Sequence, residues 1–287
     1  MTTVFLAGAT GVLGRRIVSL LVARGHEVTA LTRSPAGADL VRSLGAEAVL
    51  GDALDAESVR AAVLAAAPDV VMHQLTDLAT RNTAANAALR INGTRNLVDA
   101  ALAAGVSRFV VQSIAWAYEP GDKPAIESTP LDLRTEEPRL STVEGIAALE
   151  SQAARVPEHV VLRYGLLYGP DTWYAPDGAM ADAARAGQLA ATGDVTSFVH
   201  IDDAAAAAIR ALDWPTGAVN VCDDEPAEGV DWVPVFCDLV GASAPATSTE
   251  RTPFARGADN THARQELGWQ PAWPSWRNSF GQSPRSV

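Results

Sequence analysis

The sequence predicts an α/β fold: a doubly wound parallel sheet followed by a smaller C-terminal substrate lobe. Three observations predict it. Short apolar runs alternate with amphipathic Ala/Leu/Val segments over residues 1–165, the pattern of strands covered by helices on both faces. After Gly165 the texture changes, and Gly, Pro and aromatic residues interrupt the alternation through Gly193. With 287 residues, 48% of them apolar, the chain can bury a large core and a smaller one. We therefore expect residues 1–165 to form the sheet domain and residues 166–287 the lobe. The two make one compact unit, in which later segments can return to the sheet.

The elements follow in order. Strands are expected at 3–7, 27–31, 46–50, 70–72, 108–111 and 160–163, each a β-branched or apolar run bounded by polar or Gly residues. Helices are expected at 12–24, 55–67, 81–104 (stopped by Gly105) and 140–154, with further helices near 202–212 and 230–240. Asp202 or Asp203 is the expected cap of the alanine-rich helix. Residues 242–258 have no period, and there are no internal repeats.

Charge and cysteine usage exclude several classes. The 22 basic and 34 acidic residues leave a net charge of −12, against the basic face that nucleic-acid binding needs. No apolar run approaches the roughly 20 residues of a membrane span, and the start MTTVFLAGATG lacks the basic region of a signal peptide. Cys222 and Cys237 make no CxxC pair and read as free or buried thiols of a cytoplasmic protein. The five histidines, His26, His73, His159, His200 and His262, show no metal-ligand spacing, so no metal site is expected.

The strongest motif is TVFLAGATGVLG at residues 3–14. An apolar strand runs into Gly8, Gly11 and Gly14 and a helix starts at once. Glycines permit the tight turn and the close approach of backbone N–H groups to a pyrophosphate, whose charge then faces the helix N-terminus. The spacing is GxxGxxG within a βαβ unit, a Rossmann-type dinucleotide loop. Gly8, Thr10, Gly11, Val12, Leu13 and Gly14 are its expected cofactor contacts. The second strand ends at Leu31, followed by Thr32 and Arg33, with no acid before Asp39 to hold a ribose 2′-hydroxyl. Arg33 suits a 2′-phosphate instead. This favours NADP, with NAD as the alternative.

Seven motifs occur in register: GATGVLG, GDALD at 51–55, NGTRNLVDAA at 92–101, RFVVQS at 108–113, LRYGLLYGP at 162–170, FVHIDDAA at 198–205 and ARQELGWQP at 263–271. They resemble the extended short-chain dehydrogenase/reductase family, in its NAD-dependent epimerase/dehydratase branch, over nearly the whole chain. The resemblance implies that Asp52 and Ala53 flank the adenine and that Gln74, Leu75 and Thr76 line the cofactor ribose. It also implies that Ser113 lies near nicotinamide and substrate, and that Tyr164, Gly165 and Leu166 approach the carboxamide end.

The chain departs from the family where chemistry is concentrated. A Tyr-x-x-x-Lys pair on the fifth helix usually moves the proton and holds the nicotinamide ribose. Aligning that helix on Glu150 puts Thr142 at the tyrosine position and Ile146 at the lysine position. Lys123 is the only lysine in the chain, and Glu119 stands four residues before it, so the pair exists nowhere. Threonine is a poor acid beside a phenol of pKa near 10.

Tyr118, Tyr164, Tyr168 and Tyr174, with Trp116 and Trp173, all follow the fifth and sixth strands, whose carboxyl ends face the ligand crevice in this fold. Trp116, Trp173, Tyr174 and His200 are therefore expected at the substrate, with His200 alternatively orienting its loop. Tyr118 and Tyr168 are expected as replacement proton donors beside Ser113. GxSxG is absent, which argues against a serine hydrolase. The expected function is NADP-dependent reduction of a carbonyl or related group on a small, aromatic or polyketide-like molecule. An isomerase, epimerase or lyase on the same fold, and a non-catalytic NADP sensor, are the alternatives. The expected partner is a small molecule, with neither nucleic acid nor membrane, and a homodimer is a candidate assembly.

Overall fold

The computed structural model describes residues 1–77, 83–278 and 280. In chain order the first elements are β1 (Thr3–Ala7), α1 (Val12–Ala23), β2 (Glu27–Thr32), α2 (Pro35–Ser43), β3 (Glu47–Leu50), α3 (Ala56–Ala66) and β4 (Val70–His73). Next come α4 (Thr83–Ala88), a π-helical turn (Leu89–Gly93), α5 (Thr94–Ala103), β5 (Arg108–Ile114), α6 (Arg139–Ala153) and β6 (Glu158–Tyr164). Then follow β7 (Leu166–Tyr168), α7 (Ala179–Arg185), β8 (Ala190–Ala191), β9 (Val195–Thr196), β10 (Phe198–His200), α8 (Ile201–Arg210), β11 (Gly217–Val221) and α9 (Gly229–Leu239).

Seven strands make one sheet in the order β3-β2-β1-β4-β5-β6-β11. The pairs β1–β2, β1–β4, β2–β3 and β4–β5 are parallel. The first six strands have the doubly wound order, which reverses between β1 and β4 and opens a crevice at their carboxyl ends. Strands inside such a sheet are covered on both faces and read as apolar runs, as the buried residues Val4 to Ala7 do. Leu13, Ile17, Val18 and Leu21 are the buried stripe of α1. The Asp55 carboxylate caps α3 by accepting from the Glu57 and Ser58 amides at 3.1 and 3.2 Å.

Three features differ from expectation. Helix α2 escapes the sequence pattern because its buried stripe is only Ala38 and Val41, and Pro35 and Gly37 lie within it. Ser34 nonetheless caps it, accepting from the Gly37 amide at 3.1 Å. The long helix expected at 81–104 is interrupted by the π-helical turn at Leu89–Gly93, and its first positions, 81 and 82, lie outside the described residues. The seventh strand, β11, is a later segment returning to the sheet, as expected in kind, but its position at Gly217–Val221 is marked by no expected strand.

Compactness divides the chain into two units, residues 1–113, 133–162 and 205–218, and residues 114–132, 163–204 and 219–287. The crossing nearest to the expected 165/166 boundary is at 162/163. The first unit packs around Phe5, Val71, Leu97, Phe109 and Val111. The second packs around an aromatic cluster of Tyr168, Tyr174, Phe198, Trp232, Phe236 and Trp276. Among the described residues no helix is long and apolar enough to cross a membrane, no group of side chains could hold a metal, and Cys222 and Cys237 are buried free thiols.

Candidate active site

The glycine loop lies at the β1–β4 reversal. Gly8 has φ +102°, and a Cβ there would stand 2.6 Å from the Gln74 carbonyl. A Cβ on Gly14 would stand 2.0 Å from the Gly8 oxygen. Both glycines are required by the protein's own backbone. Gly11 is different: its Cβ would meet only the Gly8 oxygen, at 3.4 Å. Gly11 is the N-cap of α1, no side chain caps that helix, and no acid stands in its first turn. The first amides of α1 are thus left for a ligand, and an anion suits them.

Gly8, Thr10 and Gly11 line a pocket with Leu31, Thr32, Arg33, Gly51, Asp52, Ala53, Gln74, Leu75, Thr76 and Leu89. Nine of the expected cofactor residues meet here, while Leu13 and Gly14 are buried in the α1 packing and Val12 starts the helix. Leu31, Thr32, Gly51 and Leu89 lie outside the expected residues; Thr32 and Gly51 adjoin Arg33 and Asp52, and Leu31 stands two residues before Arg33. Arg33 is exposed on the rim, and the next acid in the chain, Asp39, pairs with Arg42 at 3.1 Å. Gln74 is 5% exposed, yet both polar atoms of its amide lack a partner among the described residues. A buried amide left without a bond is costly, and a dinucleotide in this pocket would supply one. With the bare face of Gly11, this makes the residues present fit a nicotinamide dinucleotide.

His73 builds the floor under Gln74 and Leu75. Its Nδ1 accepts from the Leu75 amide at 3.1 Å, so its Nε2 carries the proton and donates to the Thr94 hydroxyl at 2.9 Å. Burial, reinforced by the charge of Arg90, pulls its pKa down to about 3, and the ring is neutral. Asn96 donates to the Ala53 carbonyl at 2.9 Å and fixes the neighbouring wall.

At the end of β5 the Ser113 hydroxyl donates to the Glu150 carboxylate on α6 at 2.7 Å, and the serine is 1% exposed. The resemblance places Ser113 near nicotinamide and substrate; in the structure its one proton is directed at Glu150. Thr142 is half-buried in the first turn of α6, and Ile146 is 1% exposed in the packed face, so no charge replaces the lysine on this helix. Glu150 serves in the sequence only to align this helix with the family. Its partner lies 37 residues away in the chain, and no local spacing signals the bond.

The second unit corrects the two expected phenolic donors. Tyr118 is 1% exposed; its hydroxyl donates to the Asn220 side chain and accepts from Arg163 at 3.0 Å. Its proton and a lone pair are committed to a buried network that ties together Ala125, Glu127 and Asp259 through Asn220. Tyr168 is fully buried, edge-on to Phe198 and His200 at centroid distances of 6.2 and 5.1 Å. Tyr174 joins the same aromatic cluster, 5.3 Å from Phe198, instead of facing a crevice. An apolar core explains these rings as well as a pocket would, and sequence alone does not separate the two.

His200 is also fully buried. It stacks on Trp273 at 4.6 Å and its Nδ1 accepts from the Asp202 amide at 3.3 Å, the loop-orienting alternative. Asp203 does not cap α8; it accepts from the Ala272 and Trp273 amides at 2.8 and 2.9 Å. Tyr164 is buried, with its hydroxyl donating to the Ala204 carbonyl at 3.3 Å, and burial pushes its pKa up. Gly165 is buried and Leu166 half-buried beside it. Trp116 and Trp173 remain exposed, at 42% and 43%.

The sheet order and the glycine loop at its reversal define a dinucleotide-binding α/β fold. The chain belongs to the NAD dependent epimerase/dehydratase family, whose model matches residues 4–222. It is an oxidoreductase of the extended short-chain dehydrogenase/reductase type. It is 43% identical to a 3-diazoavenalumate denitrifying reductase from Streptomyces sp, over 97% of this chain and 99% of that protein. It is 28% identical to a 4-hydroxy-2-methyl-3-oxo-4-farnesyl-3,4-dihydroquinoline-1-oxide ketoreductase from Stigmatella aurantiaca, over 95% of this chain and 82% of that one. In fold it is similar to the Bordetella bronchiseptica enzyme WbmG, solved with NAD and UDP. The TM-score is 0.78 at 23% identity, with 96% of this chain and 92% of that chain covered.

Proposed function

We propose that this oxidoreductase uses NADPH to replace the diazo group of a small, diazo-bearing carboxylate with hydrogen, acting on a cytoplasmic metabolite. The observation that carries the reading is the Ser113–Glu150 hydrogen bond. Carbonyl reduction calls for a donor aimed at a developing oxyanion and for an acid to complete it. Ser113, bonded to a carboxylate, is left to act as an acceptor, and Tyr118 and Tyr168 are buried in packing. An acceptor favours an electrophile with positive charge, such as a diazonium nitrogen.

The balance is R–N2⁺ + H⁻ → R–H + N2: the carbon–nitrogen bond breaks, dinitrogen leaves with the bonding pair, and a carbon–hydrogen bond forms from the hydride equivalent that bound NADPH supplies. No proton is consumed. A helix carrying Thr142 and Ile146 therefore lacks nothing this reaction requires. The 43% identical relative, by its name a denitrifying reductase of a diazo compound, supports the same chemistry. Gly8, Thr10, Gly11, Gln74, Leu75 and Thr76 would hold the dinucleotide, and Arg33 its 2′-phosphate.

The test is incubation of the protein with NADPH and 3-diazoavenalumate. Release of one dinitrogen per NADPH oxidised supports the reading. NADPH oxidation with a ketone but not with the diazo compound would return the function to carbonyl reduction. No oxidation with either would favour an isomerase, a lyase or a sensor.

A further inference from the structure

Arg90 sits in the π-helical turn and is 8% exposed. Among the described residues its guanidinium has no carboxylate and no hydrogen-bond partner. Burial lowers its pKa to about 10, so it stays cationic at neutral pH. The nearby titratable group, His73, is neutral and cannot compensate it. An uncompensated buried cation is expensive, and proteins retain one where a counter-charge arrives from elsewhere.

Its position shows from where. The Arg90 Cδ and Cβ lie 3.5 and 3.7 Å from the point where a Cβ on Gly145 would stand. Thr142, Gly145 and Ile146 share one face of α6, three and four residues apart. Arg90 thus lies against the helix face that lost its lysine, brought there from the neighbouring helix. The π-helical turn sets its direction by adding a residue to the helical repeat. On the preceding residue, Leu89 turns instead to the glycine-loop pocket.

We infer that Arg90 is an anion-receiving residue of the active site, and that it pairs with the carboxylate of the substrate. The glycine-loop amides and Arg33 already suit the anionic groups of the dinucleotide, which leaves Arg90 for the second ligand. The inference rests on the proposed reductase reading for the identity of the substrate class, an anionic small molecule. Its test does not depend on diazo chemistry.

4-Hydroxycinnamate, an unreactive aromatic carboxylate, and its methyl ester are titrated calorimetrically into NADP-loaded protein, native and R90M. The native protein should bind the acid at least about tenfold more tightly than the ester, the size of a charge-assisted hydrogen bond. R90M should lose that preference, bind NADP within about twofold of native, and melt no lower than native, because an apolar side chain of similar reach removes a buried charge. R90K, which keeps the charge, should retain part of the preference. Absence of acid preference in the native protein, or its survival in R90M, overturns the inference. So does a loss of NADP affinity in R90M as large as the loss for the acid, which would assign Arg90 to the cofactor. Dinitrogen release by the native protein together with any of these results leaves the reductase reading intact and removes only the role of Arg90.

Discussion

The Ser113 hydroxyl, at the end of β5, donates to the Glu150 carboxylate on α6 across 2.7 Å. This bond reverses the role that the serine would have in a carbonyl reductase. Ser113→Ala should lower kcat/KM for the diazo substrate by about tenfold, because it removes the oxygen lone pair that faces the cationic nitrogen. Thr142→Val should cost less than about threefold, since its hydroxyl is a weak acid and the reaction consumes no proton. Glu150→Gln lets the amide donate to Ser113 and returns the serine proton, so activity should shift toward ketones relative to the diazo substrate. Steady-state kinetics on both substrates decides. A dead Thr142→Val beside an active Ser113→Ala would contradict the assignment.

The glycines of the loop separate into two kinds. Gly11→Val adds a side chain where the protein offers little resistance and the ligand needs space. It should melt within a few degrees of native while NADPH affinity falls by about a hundredfold or more. Gly14→Ala places its Cβ 2.0 Å from the Gly8 oxygen and should lower stability itself, by about 2 kcal/mol or more. Thermal melts and fluorescence titration of each variant give both readouts. Equal cofactor affinity in Gly11→Val and native protein would remove the loop from the site.

Arg33 stands on the rim of the pocket, where an acid would hold the ribose 2′-hydroxyl of NAD in a Rossmann fold. Arg33→Ala should weaken NADPH by about tenfold and leave NADH unchanged. The native protein should prefer NADPH. Equal native affinity for the two cofactors, by fluorescence titration, contradicts this choice.

His73 gives the site an acid limit. Its pKa is drawn down to about 3 in the fold, first by burial and then by the charge of Arg90, against about 6.5 in the unfolded chain. Between those values the unfolded chain binds more protons, so stability rises with pH. The contribution is complete above about pH 6.5 and is lost as pH falls toward 3. His73→Asn keeps an acceptor for the Leu75 amide and should flatten this dependence. Denaturant midpoints at several pH values between about 4 and 7 measure it, and parallel native and variant profiles would contradict the role of burial.

How much was legible follows from how far apart the interacting residues lie. The β1 strand, the glycine loop and most of the cofactor pocket are local patterns: Gly8 to Gly14, Asp52 and Ala53, Gln74 to Thr76. Each sits directly after a strand, and the sheet topology gathers those strand ends. Ser113 was found for the same reason, but its partner Glu150 was not, because a bond between a strand end and the last turns of a helix leaves no spacing signal. Tyr168 and Tyr174 misled because aromatic residues fill a core as readily as they line a crevice. Arg90 falls inside the helix expected at 81–104, and the π-helical turn that holds it has no sequence mark beyond Gly93.

The central claim is that reduction proceeds without a proton from the protein. Single-turnover rates with 3-diazoavenalumate should slow with NADPH deuterated at C4 and stay unchanged when water is replaced by deuterium oxide. The T142Y/I146K variant, which restores an acid and its lysine, should give no gain in that rate. A solvent isotope effect of about two or more, with a proton in flight in the slow step, or a rate increase in T142Y/I146K, would contradict the account.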